Sequence, residues 1–156
     1  MSNTIIKTIK GSILDNNLAE GIAIIIPPGL NALKVDGKMF YHQMTSSFPV
    51  DEFTVKEVNS SRGKLKHILY INTAESSIID ITSMQNLIYQ ILNTFRTKSI
   101  KSVAMNGIYC NNLPNKKIGS EKYHWQIIQE YLLLYPDVFD EILLVDLRGG
   151  FNNILG

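Results

Sequence analysis

Hydrophobic and polar positions along the chain fall into short apolar runs separated by stretches of helical period. Residues 4–9 are rich in β-branched side chains and predict a strand, which Gly11 breaks. Ser12, Ile13 and Leu14 are expected to continue the pairing briefly, and Asp15-Asn16-Asn17 has turn chemistry. Ile22-Ala23-Ile24-Ile25-Ile26 is apolar without interruption and is stopped by Pro27-Pro28-Gly29. A short run apolar on both faces suits a central parallel strand, because both faces of such a sheet are covered. A short helix is expected from Asp36 to Met44. Phe53 to Val55 and His67 to Ile71 read as strands, and the turn-rich stretch from Asn59 to Gly63 predicts a hairpin between them.

The clearest helical period is Met84, Leu87, Ile88, Ile91, Leu92 and Phe95, which share one face. Thr82 and Gln85 have the spacing of a capping box. Ser102 to Met105 is a short buried strand, and a polar loop runs from Asn106 to Gly119. Ser120 is the expected N-cap of a second helix, with Tyr123, Ile127, Ile128, Tyr131 and Leu134 inward and Pro136 at its end. Ile142 to Val145 is a last buried strand, and Gly149-Gly150 loosens the C-terminal tail. Strands alternating with helices around one hairpin predict an α/β fold with a mixed, mostly parallel sheet.

At 156 residues the chain is expected to form one domain with a single core, spanning residues 1–156. Apolar residues make up 45% and charged residues 19%, a globular composition rather than a disordered one. The net charge of +1 gives no reason to expect a nucleic acid as partner, and Arg62-Gly63-Lys64-Leu65-Lys66 and Lys116-Lys117 read as solvated loops. No apolar run is long enough to span a bilayer. The start of the sequence lacks the charged and apolar regions of a signal peptide. The single cysteine, Cys110, rules out an internal disulfide and fits a reducing compartment, so a cytoplasmic location is expected.

The order of elements resembles the macro domain, a three-layer α/β/α fold that commonly binds ADP-ribose. The resemblance covers nearly the whole chain and rests on arrangement and a few local segments. Gly11-Ser12-Ile13 stands where the family has Gly-Asp-Ile, so Ser12 replaces the acid that usually bonds the adenine amino group; Asp15 is the nearest acid. Ile22 to Ile26 stands where the family has Ile-Val-Asn-Ala-Ala-Asn, but here the strand runs into Pro27 and Pro28, without the asparagine that holds the distal ribose. Val35-Asp36-Gly37 matches the segment opening a helix near the diphosphate, although Gly29, Leu30, Asn31 and Ala32 replace the usual glycine run. Asn106-Gly107-Ile108-Tyr109 occupies the second phosphate loop, and Pro114 keeps its later proline. Ile142 to Asp146, with Phe151-Asn152-Asn153 beyond it, resembles the last strand and the loop that sets an aromatic near the base.

The resemblance therefore implies a small-molecule nucleotide ligand at the carboxyl ends of the strands. Ser12 and Ile13 would lie by the base with Phe151. Backbone amides from Gly29 to Gly37, Asp36 among them, and at Asn106, Gly107, Ile108 and Tyr109 would take the phosphates, with Pro28 lining the ligand beside them. Glycine allows such close approach and asparagine tolerates the left-handed region.

Each candidate also has a packing role. Asp36 could cap its own helix; Asp15 could belong to a plain turn; Tyr109 and Phe151 could be core aromatics. Cys110 reads as inert, with only Lys116 and Lys117 nearby in sequence. His42, His67 and His124 lack zinc-ligand spacing, so no metal and no cofactor are expected. No catalytic residue can be assigned: a nucleophile elbow and a Walker-type phosphate loop are both absent. The leading expectation is a non-catalytic reader of ADP-ribose or a related nucleotide. The alternatives are a structural or interaction module, with a protein partner or a second copy, and thirdly an ADP-ribosyl hydrolase.

Overall fold

The computed structural model describes residues 3–13, 17–26, 34–35, 38–39, 53–57, 63–72, 80–108, 113–115, 117–146, 149 and 151. Its elements in chain order are β1 (Ile5–Lys10), β2 (Gly21–Ile26), β3 (Lys34–Val35), β4 (Lys38–Met39), β5 (Phe53–Glu57), β6 (His67–Asn72), α1 (Ile81–Thr97), β7 (Ser102–Met105), α2 (Ser120–Leu134) and β8 (Glu141–Asp146).

Six strands form the main sheet in the order β1-β8-β7-β2-β6-β5. The first five run parallel, and β5 pairs antiparallel with β6 at one edge. The expected antiparallel pairing of β5 with β6 and the mixed, mostly parallel sheet are both present, and residues 58–62 between those strands lie outside the described residues. The two apolar runs take central positions. In β2 Ala23 and Ile25 enter the core that contains α1 and α2, whereas Ile22 and Ile24 enter a second core. In β8 Ile142 and Leu144 face the helices, and Leu143 and Val145 face away. Alternate side chains point to opposite faces, so a strand covered on both sides must be apolar throughout.

The helical core joins Met84, Ile88, Ile91, Leu92 and Phe95 of α1 to Ile127, Ile128, Tyr131 and Leu132 of α2. The helices are also tied by polar contacts. Tyr131 donates its hydroxyl to Asn93 Oδ1 at 2.7 Å, Arg96 Nε donates to the Tyr131 oxygen at 3.1 Å, and the Arg96 guanidinium lies 4.0 Å over the Tyr135 ring. The opposite face is closed by Ile13, Ala19 and Leu65.

Several local expectations are corrected. Lys38–Met39 is extended and pairs antiparallel with Lys34–Val35 where a helix from Asp36 to Met44 was expected. The other residues of that expected helix, Asp36, Gly37 and 40–44, lie outside the described residues. Asp80, not Thr82, caps α1; its Oδ1 accepts from the Ser83 N–H at 2.8 Å. Ser120 is the first helical residue of α2, and Gly119 is the N-cap. Leu134 is 63% exposed rather than inward; Leu132 and His124 take that face instead. Ser12 and Ile13 lie outside β1, which ends at Lys10.

Candidate functional site

Parallel strands all deliver their carboxyl ends to one edge, where open α/β sheets place ligands. Here Ile26, Met105 and Asp146 end β2, β7 and β8 at that edge.

The residue after β7 is Asn106, and its carboxamide is engaged with the neighbouring strand. The Ile25 N–H donates to Asn106 Oδ1 at 2.7 Å, and Asn106 Nδ2 donates to the Ile25 carbonyl at 2.8 Å. A side-chain amide has one acceptor and one donor group, as a peptide does. Asn106 thus extends the β2–β7 pairing, whose last backbone partners are Ala23 and Met105. Its side chain is thereby a clamp on β2, which leaves open the expected role of its backbone amide.

Gly107 comes next, and its lack of a side chain has a local reason. A Cβ there would stand 3.3 Å from Cζ of Phe151, closer than most side-chain contacts. The ring of Phe151 therefore packs against the Gly107 backbone. Phe151 is only 2% exposed, so it is a core ring rather than an open stacking platform. Gly149, two residues earlier, has φ of 73°, the left-handed conformation in which glycine avoids a steric penalty. Ile108 is buried in the helical core and Ile13 in the opposite one. Ser12 is half-buried. Pro28, Gly29, Asp36 and Tyr109 lie outside the described residues. The structure therefore gathers Asn106, Gly107, Ile108 and Phe151 at one strand edge.

Sequence reasoning did not single out His124. It is fully buried in α2, and its ring meets the Phe151 ring edge-on, with centroids 5.5 Å apart and planes at 64°. Neither ring nitrogen has a hydrogen-bond partner among the described residues, and the same is true of His67 Nδ1 at the opposite end of the sheet. Burial in an apolar setting disfavours the charged form and pushes its pKa down to about 3. Its spacing before Ile127, Ile128 and Tyr131 is the signal that places it on the inner face. Among the described residues no group of His, Cys, Asp and Glu could hold a metal ion, and no helix is long and apolar enough to cross a membrane.

No family model matches the chain, and no curated protein matches it in sequence. Solved structures do match its fold. The macrodomain of Mycobacterium tuberculosis DarG superposes with a TM-score of 0.59 at 14% identity, covering 90% of this chain and 97% of that one. The macro domain of ganglioside induced differentiation associated protein 2 gives 0.62 at 14% identity, covering 97% and 82%. The Trypanosoma brucei macrodomain in complex with ADP gives 0.64 at 10% identity, covering 97% and 69%. The expected resemblance is thus present in three dimensions, and the chain has the macrodomain fold.

Proposed function

We propose, from this macrodomain fold, that the chain is a non-catalytic module that binds ADP-ribose or a related nucleotide at the carboxyl ends of β2, β7 and β8. The observation that carries the reading is the likeness to a macrodomain solved with ADP. Gly107 adds local support, because a side-chain-free backbone at a strand end can approach a phosphate closely. The backbone amides of Gly29, Asp36 and Tyr109 complete the proposed phosphate contacts, with Pro28 lining the site beside them. Catalysis is left out of the proposal because Ile25-Ile26-Pro27-Pro28 offers no polar side chain where the macro-domain pattern has asparagine.

A second reading is an interaction module with a repurposed pocket. Two placements favour it: the Asn106 carboxamide is engaged with Ile25, and Phe151 is buried. Calorimetric titration with ADP-ribose, with AMP and NAD alongside, separates the two. The nucleotide reading expects micromolar binding, about −8 kcal/mol, lost in Asp36→Ala and in Gly107→Val, with melting temperature measured for each variant. Absence of both heat and thermal shift at millimolar ligand would overturn it in favour of the interaction module.

A further inference from the structure

The end of β7, the turn after β8 and the first turns of α2 meet in a short stack of Gly107, Phe151 and His124. Its innermost member is unusual for a core. A position that needed only volume would be filled by an aliphatic or phenyl side chain, whereas an imidazole brings two polar nitrogens. A buried polar group ordinarily has a partner, and one without it costs free energy that a later partner would recover. Among the described residues His124 has none at either nitrogen. The Phe151 ring lies against both His124 and Gly107, so one ring separates the imidazole from the backbone at the strand edge. The turn carrying Phe151 contains Gly149 in the left-handed region.

We infer that His124 is a specificity-determining contact of the nucleotide site, hydrogen-bonding a hydroxyl or base-edge group of the nucleoside once the Phe151 ring swings off Gly107. This rests on the nucleotide reading above and adds the ligand group selected. The chemistry is that of an uncharged imidazole, which offers one N–H donor and one nitrogen acceptor. Sugar hydroxyls and base edges present the matching pair, whereas a phosphate offers only acceptors. Burial keeps the ring uncharged at neutral pH, so it has no Coulombic pull on an anion.

The test uses the whole chain as wild type, His124→Leu and His124→Gln, titrated with ADP-ribose, AMP and ribose 5-phosphate, with melting temperatures measured for each. Leucine keeps the bulk and removes both nitrogens; glutamine keeps a donor and an acceptor. The expected result is that His124→Leu folds with an equal or higher melting temperature yet binds ADP-ribose about tenfold more weakly, while His124→Gln retains most of the affinity. Weakening shared by ADP-ribose and AMP but absent for ribose 5-phosphate assigns the contact to the base, and weakening shared with ribose 5-phosphate assigns it to the sugar. The ring nitrogens of wild-type His124, monitored by NMR, should shift on saturation; that readout stands even if a variant fails to fold. Unchanged affinity in His124→Leu, or ring nitrogens that ignore saturating ligand, would overturn the inference and leave the nucleotide reading intact. A wild type that binds none of the three overturns both.

Discussion

The two ends of the central sheet are built from the same strands by different means. At the amino end, Glu20, just before β2, ties together three strands. Its carbonyl accepts from the N–H groups of Lys66 and His67 at 2.7 and 3.1 Å, and its own N–H donates to Ser102 Oγ at 2.9 Å. Its carboxylate accepts from the Lys101 N–H at 3.0 Å and pairs with the Lys66 ammonium at 2.8 Å. Gly21 then lets Phe95 and Ile100 close over the strand. At the carboxyl end the Asn106 carboxamide joins β7 to β2, the Gly11 and Gly149 N–H groups donate to the Asp146 carbonyl at 3.0 and 3.1 Å, and the Phe151 ring lies on Gly107 and against the His124 imidazole. The lesson is a division of labour. Register is fixed where backbone groups find partners across strands. The end that open α/β sheets use for ligands carries the Asn106 carboxamide across β2 and β7 and the Phe151 and His124 rings behind it.

The strongest test of that division is at Gly21. A Cβ there would lie 2.8 Å from Phe95 Cε1 and 2.9 Å from Ile100 Cγ2, both in fully or nearly fully buried side chains. Overpacking of this kind typically costs about 1–3 kcal/mol. Gly21→Val is expected at or above the upper end of that range in urea denaturation, with nucleotide affinity of the folded protein unchanged. Gly11→Ala is the control: its Cβ would meet Ile9 Cγ2 at an ordinary 3.7 Å, and stability should hardly move. Equal losses at the two glycines would remove the contrast.

A smaller effect is expected from Asn106→Leu. It leaves the Ile25 N–H and carbonyl without their present partners, and each such loss is worth about 1 kcal/mol or more when water cannot replace it. A loss of roughly 2 kcal/mol by the same denaturation assay, accompanied by weaker nucleotide binding, would show that the clamp sets both the strand spacing and the site edge. Unchanged stability would mean that the carboxamide is dispensable to the sheet.

Sheet composition was legible because burial on two faces leaves a plain mark: Ile22 to Ile26 and Ile142 to Val145 can hardly be anything but covered strands. The α1 face was legible from its period. What escaped depends on contacts between residues far apart in the chain. Asn106 and Ile25 are 81 residues apart, and nothing local marks an asparagine whose carboxamide clamps a neighbouring strand. Phe151 carries the same ambiguity, since ring size is visible in sequence and exposure is not. Leu134 was misplaced because it has the spacing of the inner stripe but is the last residue of α2, and it is exposed. His124 fits the inner stripe of α2 by spacing, yet a polar residue there is passed over when only apolar positions are counted.

Acid titration offers the mildest probe, and it separates the ends by pH. His124 has a folded pKa of about 3 against an ordinary value of 6.5, because burial disfavours the imidazolium. The unfolded chain therefore binds a proton that the folded chain refuses, and stability falls as pH drops below about 6.5, continuing towards 3. Between pH 7.5 and 5.5 this amounts to about 1.4 kcal/mol. At the amino end, the hydrogen bond from Lys66, opposed by partial burial and aided by the Lys101 N–H, holds the Glu20 carboxyl below its usual range. Its contribution is present above the ordinary carboxylate pKa and is lost only as pH falls through the depressed value. Wild type should thus lose stability in two stages, the imidazole stage first. His124→Leu should flatten the slope between pH 7.5 and 5.5 and leave the carboxylate stage in place. An unaltered upper slope in that variant would mean that another group titrates there, and that the buried imidazole is not the source of acid sensitivity at the carboxyl end.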